Sequence, residues 1–380
     1  MNLTVTGPGR TILATRITFL LAGIAMAVWA PLVPLAKARL GLDDGALGGL
    51  LLFLGIGSII AMPITGVLTT RVGCRIVIVT AGVVVALVMP FLAVLDTWTG
   101  MAVALAIFGA AVGTVDVAMN VQAVMVERQA GRALMSGFHG LFSLGGIFGA
   151  GGVSLLIGAG VLPLHATVGV GLVALLLLAV AAPMLLPYGD DSGQKSPLFV
   201  VPKGAIVFLG VLSMIVFLAE GAVLDWSAVF LIANTGAGVA MAGLGYAVFS
   251  VAMAVGRLSG DRIRARLGER QVLLLGGIIA AAGFLVPLLM QSPVVGLLGF
   301  LLVGAGAANV VPVLFSAAGR SRTMPSGLAI ASVTTVGYLG ILVGPAAIGF
   351  VSDLTSLGTA FVLVALGMVF VGLSARVATR

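Results

Sequence analysis

Long apolar stretches dominate this sequence of 380 residues and leave few ways for it to fold. About 20 consecutive apolar residues are enough to cross the hydrocarbon core of a bilayer as a helix. The sequence predicts twelve such spans, at about 16–36, 46–69, 76–95, 98–127, 134–159, 163–186, 204–232, 239–261, 271–290, 293–318, 325–350 and 356–375. We therefore expect an all-α membrane protein with twelve transmembrane helices.

The scarcity of charge supports the same fold class. Charged residues make up 8% of the chain, whereas soluble domains carry about 25%. So few charges do not cover the surface of a soluble protein of this size, which excludes a soluble enzyme, a disordered protein and a nucleic-acid-binding protein. A transmembrane β-barrel would show short strands of alternating polarity. The expected surroundings are a lipid bilayer, and nucleic acid is not an expected partner.

Cofactor motifs are missing from the sequence. A single cysteine, Cys74, forms no intrachain disulfide, and the Cys and His residues lack metal-ligand spacing. The three lysines lie outside any Gly-Lys-Ser/Thr motif, so no P-loop is expected. We therefore expect no enzyme activity, no cofactor and no metal, and any pumping must draw on a gradient or a partner.

The positions of Lys and Arg predict the orientation in the membrane. With cytoplasmic N- and C-termini, 17 of the 19 basic residues fall on the cytoplasmic side, and only Lys37 and Arg39 fall outside. In this count Arg257 lies at the inner end of span 8. Because the positive-inside rule disfavours the opposite orientation, we expect a multi-pass protein of the cell inner (plasma) membrane.

The two halves of the chain resemble each other at an offset of about 190 residues. A Gly- and Arg-rich stretch follows span 2 at 66–75, and a similar one follows span 8 at 260–270. Asn120 and Asn309 both lie late in the fourth span of their half. Two similar halves, each forming a bundle of six helices, are the plan of a transporter that binds its solute at the membrane midplane. The expected domains are an N-terminal six-helix bundle at 1–187, a cytoplasmic linker at 188–203 and a C-terminal six-helix bundle at 204–380.

The stretch after span 2 carries the residues of a family resemblance. It resembles the major facilitator superfamily signature Gly-x-Leu-x-Asp-Arg-x-Gly-Arg-Arg/Lys, and the matching residues are Gly66, Leu68, Arg71, Gly73 and Arg75. Thr70 replaces the acidic residue, and Cys74 replaces the first basic residue of the final pair. The resemblance covers all twelve spans and implies two pseudo-symmetric six-helix bundles.

Span 4 and the start of span 5 resemble the fucose-permease-like branch of this superfamily. Asp116 and Asn120 match an acidic residue and an Asn four apart in span 4, and His139 matches a polar residue in span 5. Trp29 or Ala30 stands where that branch has an acidic residue in span 1. The resemblance implies a proton-coupled symporter of a sugar or related metabolite.

Two carboxylates inside the spans are the candidates for proton coupling, because charge inside a membrane is costly and usually functional. Asp116 lies roughly 18 Å from the inner end of span 4, near the middle of a core about 30 Å thick. Desolvation penalises its charged form, which suits a group that takes up and releases a proton. A structural carboxylate is the alternative. Glu220, in the outer half of span 7, is the second candidate.

Four further side chains are predicted to bind the solute. They are Trp29, Asn120, His139 and Asn309. Asn120 lies one turn from Asp116 on the same helix face, and Asn309 mirrors it in the second half. His139 would relay protons or hydrogen-bond the solute, and Trp29 would stack on a sugar ring. Hydrogen bonds between helices, and space-filling at a kink for Trp29, are the alternatives.

The remaining candidate residues are predicted to act as gates or latches that open and close the transport path. The alternative roles are an interfacial ion pair, a membrane anchor or a charge that only sets the topology. Glu127 continues the Asp116 face beside Arg128, and Asp225 with Trp226 would form an outer gate. The latch residues on the cytoplasmic side would be Arg71, Arg75, Arg257, Asp261 and Arg262.

Together these features predict a secondary transporter that moves a small polar solute, such as a sugar or related metabolite, with protons and as a monomer. A proton-driven exporter of metabolites or drugs is the alternative, although span 5 lacks the Gly-Pro signature of many drug antiporters. A transporter-like sensor is a third hypothesis, which no soluble signalling domain supports.

Overall fold

The computed structural model describes residues 8–131, 134–189, 204–320 and 326–379, and within these ranges the regular elements are all helical. The α-helices are α1 (Pro8–Ala27), α2 (Trp29–Leu40), α3 (Asp44–Val72), α4 (Cys74–Val94), α5 (Trp98–Ala130), α6 (Met135–Gly146), α7 (Gly152–Gly158), α8 (Pro163–Ala181), α9 (Ala205–Thr235), α10 (Val239–Leu267), α11 (Glu269–Leu289), α12 (Pro293–Ala307), α13 (Val310–Gly319), α14 (Ser326–Leu354), α15 (Leu357–Leu373) and α16 (Ala375–Ala378). A π-helical turn, Ile147–Gly151, joins α6 to α7, and a 3₁₀ turn, Ala182–Met184, follows α8.

Among the described residues, eleven helical stretches are long and apolar enough to cross a membrane, and α15 is a shorter apolar helix. Together they correspond to the twelve predicted spans, so the predicted fold class is confirmed. The first span combines α1 and α2. The helix breaks between them because Pro31 has no backbone N–H to continue the ladder, whereas Pro34 lies inside α2.

By its internal contacts the chain divides into two compact units. The first comprises Met1–Leu32 and Phe53–Gln194, and the second comprises Val33–Leu52 and Lys195–Arg380. Residues 33–52, which the predicted domains assign to the N-terminal bundle, therefore have their closest associations in the second unit. The exact domain limits stay a prediction.

In the first unit, α1 packs against α5, α6 and α8, and α4 packs against α5 and α8. The core includes Phe19 and Phe138, whose rings stack with their centroids 5.5 Å apart. A Cβ atom on Gly23 would lie 2.0 Å from the backbone oxygen of Phe142, and one on Gly145 would lie 2.3 Å from that of Leu20. The backbones of α1 and α6 therefore touch, as small residues allow in membrane proteins.

This close approach gives a first testable result. Gly23→Ala is expected to lower the free energy of unfolding by about 2 kcal/mol, because the added methyl group forces the two backbones apart. Gly152→Ala is the matched control, since a Cβ there would meet nothing within 4 Å. Thermal unfolding in one detergent checks both variants, and equal melting temperatures would contradict the close packing.

In the second unit, α9 packs along α14 and also against α10, α12 and α15. The rings of Phe230, Phe284, Phe300 and Phe361 form one aromatic cluster. At the start of α3, Asp44 forms an ion pair with Lys37 and accepts a hydrogen bond from Ser352 of α14. The enclosure of α9 by these helices determines the surroundings of its polar residues.

Candidate functional site

The first polar site lies in the middle of α5. Asp116 is two residues past the central residue of this helix, and both Asp116 and Asn120 are half-buried. The Asn120 amide nitrogen donates to the Asp116 backbone oxygen at 2.9 Å and lies 3.3 Å from its carboxylate oxygen Oδ1. The structure thus brings this predicted pair together near the middle of α5. Their roles in coupling and binding stay a prediction.

The other candidates of the first unit have different surroundings. The Glu127 carboxylate accepts a hydrogen bond from the backbone N–H of Leu134 at 2.6 Å, which ties the end of α5 to the start of α6. His139 is half-buried, and its ring meets Phe19 edge-on with centroids 5.2 Å apart. Trp29 is fully buried, and its indole N–H has no hydrogen-bond partner among the described residues. Its ring therefore offers no open face to a sugar in this conformation.

The second polar site joins α9 and α10. Glu220 is the central residue of α9, with fifteen residues on either side. Its Oε2 atom lies 3.7 Å from Nη2 of Arg257, and the two side chains are 21% and 22% exposed. Arg257 lies three residues before the end of the apolar segment Val239–Gly260, which agrees with its predicted position at the inner end of span 8. The predicted position of Glu220 in the outer half of its span stays a prediction. Helix α10 continues for ten residues after Arg257, to Leu267, and the last seven of them lie beyond this apolar segment.

Several buried polar atoms of α9 have no hydrogen-bond partner among the described residues. The second carboxylate oxygen of Glu220 is buried and has no hydrogen-bond partner among the described residues. The same holds for the hydroxyl groups of Ser213 and Ser227, which lie seven residues before and after Glu220 on α9. On α10, Tyr246 hydrogen-bonds to Ser250.

Asn309 does not repeat the geometry of Asn120. It lies at the break between α12 and α13, is 8% exposed and donates to the Gly256 backbone oxygen of α10 at 2.9 Å. A Cβ atom on Gly260 would lie 2.1 Å from its side-chain oxygen. Asn309 thus forms the hydrogen bond between helices that was its alternative role, whereas Asn120 bonds within its own helix.

The predicted outer gate is enclosed by protein. Trp226 is fully buried and Asp225 is nearly so, within a segment of α9 in which residues 221–231 are all buried. An anchor at the headgroup level needs an exposed indole ring. The anchor interpretation of Trp226 was therefore wrong, because neighbouring helices cover this part of α9.

The latch candidates are dispersed. Arg75 donates to the backbone oxygen of Leu185 at 2.7 and 3.0 Å and to that of Pro183 at 3.0 Å, so it holds the carbonyl groups that follow α8. Arg71 and Arg262 are exposed, and the side chain of Asp261 lies outside the described residues.

Sequence reasoning missed two polar connections. Gln122 of α5 is fully buried, donates to the Thr15 hydroxyl at 2.9 Å and accepts from the Leu186 backbone N–H at 3.1 Å. Arg320 donates to both carboxylate oxygens of Glu269, at 3.0 and 2.5 Å, and these bonds raise the pKa of its guanidinium. An amide inside an apolar span was the signal for Gln122.

Within the described ranges, no group of three or more His, Cys, Asp or Glu residues could hold a metal ion.

Sequence comparison finds relatives over nearly the whole chain, although no family model matches it. An uncharacterized MFS-type transporter of Yersinia pestis is 54% identical over 367 residues, which cover 97% of this chain and 95% of the relative. The uncharacterized transporter y4wD of Sinorhizobium fredii is 33% identical over 365 residues, or 94% and 96% of the two chains. The membrane protein MosC of Rhizobium meliloti is 30% identical over 371 residues, or 96% and 90%.

Solved structures share the fold at low sequence identity. The nucleoside transporter NupG superimposes with a TM-score of 0.74 at 15% identity over all of both chains. The TM-score is 0.75, at 14% sequence identity, for a bacterial homolog of the human lysosomal transporter Spinster in an inward-facing and occupied conformation. This superposition covers 97% of this chain and 96% of that one. A variant of the E. coli fucose:proton symporter FucP superimposes with a TM-score of 0.64 at 20% sequence identity, over 98% of each chain.

Proposed function

This chain belongs to the major facilitator superfamily of membrane transporters, and on that premise we propose that it is a proton-coupled symporter of a small polar solute. The superfamily membership predicted from the loop signature is thereby confirmed. Nucleoside and fucose:proton transporters among the structural neighbours make sugars and sugar-containing metabolites the first solutes to test. Since the relatives with a functional name are transporters, no catalytic role is proposed.

The observation that carries the proposal is the Asp116–Asn120 pair in the middle of α5. Transporters of this plan expose a midplane site to each side of the membrane in turn. A carboxylate at that depth loses solvation when it is charged, so it favours taking up a proton while the solute crosses. Asp116 is the proposed proton carrier, and Asn120 with His139 is proposed to contact the solute.

Uptake into proteoliposomes tests this function directly. The vesicles receive an inward proton gradient and a panel of labelled sugars, polyols and nucleosides. Accumulation above the outside concentration, abolished by a protonophore, is the expected result for at least one solute. Uptake that only equilibrates would contradict proton coupling, and solute flux opposite to the proton flux would identify an exporter instead.

We propose the cell inner membrane as its location, with both termini cytoplasmic, because 17 of the 19 basic residues then lie inside. A fluorescent protein fused after Arg380 should be bright, and alkaline phosphatase at the same position should be inactive. The reverse pattern would contradict this orientation. The proposed transport unit is the monomer, since one chain supplies both pseudo-symmetric bundles.

A further inference from the structure

A groove opens on the surface of the first unit, between the start of α4 and the 3₁₀ turn that follows α8. Its volume is about 390 Å³, and its lining residues are Arg75, Ile76, Val79, Thr80, Ala182 and Pro183. Small-molecule sites occupy about 300–1,000 Å³. One guanidinium group and one hydroxyl group therefore lie among apolar side chains in a groove that is large enough for a ligand.

The groove lies at one end of a membrane span. The apolar segment of α4 comprises Cys74–Val94, so Arg75 is its second residue. With cytoplasmic termini, as the basic residues predict, this end of α4 lies at the inner surface of the membrane. Lipid headgroups occupy that level, and the negative potential of the inner leaflet attracts basic side chains.

Helix α4 presents an exposed apolar stripe that begins at the groove. The exposed apolar residues of this helix are Ile76, Leu87, Phe91 and Val94. At about 100° per residue they fall within roughly 60° around the helix axis, and Thr80 lies in the same sector. An exposed stripe of this kind along a membrane span faces acyl chains, so the groove is open to lipid along its whole apolar side.

Arg75 has hydrogen-bonding capacity that its packing role does not use. Its Nε and Nη2 atoms donate to the backbone oxygens of Leu185 and Pro183. The other terminal nitrogen, Nη1, carries two N–H bonds, and neither has an acceptor among the described residues. Arg75 also forms no ion pair with a described carboxylate. The positive charge and the Nη1 donors are therefore available to a ligand.

Thr80 provides a second unused polar group in the groove. It lies five residues after Arg75, or about 7.5 Å further along the helix axis, which is roughly the thickness of one interfacial layer of the bilayer. Thr65 satisfies its hydroxyl group by donating to the Ala61 backbone oxygen at 2.9 Å. The exposed hydroxyl group of Thr80 has no such partner within the described part of the chain. A hydroxyl group that faces hydrocarbon without a partner costs free energy.

We propose that the groove beside Arg75 binds an anionic phospholipid of the inner leaflet. The guanidinium group donates from Nη1 to the lipid phosphate, and the hydroxyl group of Thr80 donates to an ester oxygen one interfacial layer deeper. The acyl chains lie along the exposed stripe of α4. This site goes beyond the proposed transport function, because its ligand is a membrane lipid and not the transported solute.

The chemistry of the groove distinguishes this lipid from two related ligands. A zwitterionic lipid carries a cationic group next to its phosphate, and the groove lining contains no carboxylate to receive that group. Free phosphate would contact Arg75 and leave Thr80 and the apolar lining without a ligand. An anionic phospholipid uses all three features together, and Arg side chains bind phosphate groups with charge-assisted hydrogen bonds.

Lipid titration of the purified full-length protein in an uncharged detergent tests the site. Dioleoyl phosphatidylglycerol and dioleoyl phosphatidylcholine are the matched ligands, because they share acyl chains and phosphate and differ in net charge. Native mass spectrometry gives the dissociation constant of the first bound lipid. The anionic lipid is expected to bind about fivefold more tightly, the gain that one basic residue gives at an anionic membrane surface. Inorganic phosphate should not displace it.

Two exposed positions of α4 distinguish the groove from the rest of the stripe. Ile76→Trp fills the groove and removes no side-chain hydrogen bond, so it should lower the affinity for phosphatidylglycerol by about threefold or more. Leu87→Trp is the matched control and should bind like the wild type, because Leu87 is 58% exposed and Ile76 is 56% exposed on the same stripe. Thr80→Val keeps the shape of the side chain and should lower the affinity by about twofold to tenfold.

Charge variants assign the preference for the anionic lipid to Arg75. Arg75→Gln should bring the two dissociation constants to about the same value, and Arg75→Lys should keep part of the difference. Arg266→Gln removes the same charge from the exposed end of α10 in the second unit and should keep the full difference. Asp190 and Asp191 lie outside the described residues. Asp190→Asn combined with Asp191→Asn removes negative charge and should leave the preference equal or larger.

Three results would overturn the proposal: equal affinity for the two lipids, wild-type affinity in Ile76→Trp, or displacement of the lipid by inorganic phosphate. Arg75 also holds the carbonyl groups after α8, so if Arg75→Gln does not fold, the comparison of Ile76→Trp with Leu87→Trp decides the outcome. The titration uses neither a solute nor a proton gradient. Failure of the lipid site is therefore distinguishable from failure of the proposed transport function.

Discussion

Asp116→Asn is expected to abolish proton-driven accumulation of the solute while leaving solute exchange across the membrane intact. One pH unit corresponds to about 1.4 kcal/mol per proton, so with one proton per solute a gradient of two units supports roughly hundredfold accumulation. Asn cannot take up the proton, so the ratio should fall to about one. Its amide keeps an acceptor oxygen, so the Asn120 side chain retains its present partners.

The comparison needs two assays on the same proteoliposomes. Net uptake under an inward proton gradient reports coupling, and counterflow of labelled against unlabelled solute reports binding and alternating access. Asp96→Asn is the control, because Asp96 is exposed in the connection between α4 and α5. An unchanged accumulation ratio in Asp116→Asn would remove Asp116 from coupling and leave Glu220 as the candidate proton carrier.

The spans could be predicted from the sequence because hydropathy and length decide whether a helix crosses a bilayer. The breaks inside the spans could not, because they depend on single residues within continuous apolar runs. Helix α1 ends two residues before Trp29, and α13 begins only after Asn309. In both cases a Pro is the third residue of the following helix, Pro31 in α2 and Pro312 in α13. A proline there cannot donate back to the preceding turn.

The two polar sites differ in how far the sequence predicts them. Asp116 and Asn120 lie four apart in one helix, so helical periodicity alone places them side by side. Glu220 and Arg257 meet across two helices, and the positive-inside rule treats a basic residue near the end of an apolar run as a topology signal. Only the continuation of α10 to Leu267 places Arg257 well inside the helix.

Gln122→Leu is expected to destabilise the protein more than any other single change considered for the first unit, by about 3 kcal/mol. The amide joins three segments: Thr15 of α1, α5 itself and Leu186 after α8. Leucine fills a similar volume but leaves the buried Leu186 N–H without an acceptor and removes the donor to Thr15. The melting temperature in one detergent reports the loss.

Gln129→Leu is the matched control, because Gln129 lies on the same helix but is exposed, and its bond to the Tyr188 hydroxyl at 3.0 Å lies at the surface. This variant should change stability by less than about 0.5 kcal/mol. Thr15→Val combined with Gln122→Leu should cost less than the sum of the two single changes, because both remove one shared hydrogen bond. Equal losses of stability in Gln122→Leu and Gln129→Leu would contradict the structural role of Gln122.

Gln122 lies roughly 120° around α5 from Asp116. Below the melting temperature, solute exchange should therefore persist in Gln122→Leu, which separates this stabilising connection from the proposed transport face.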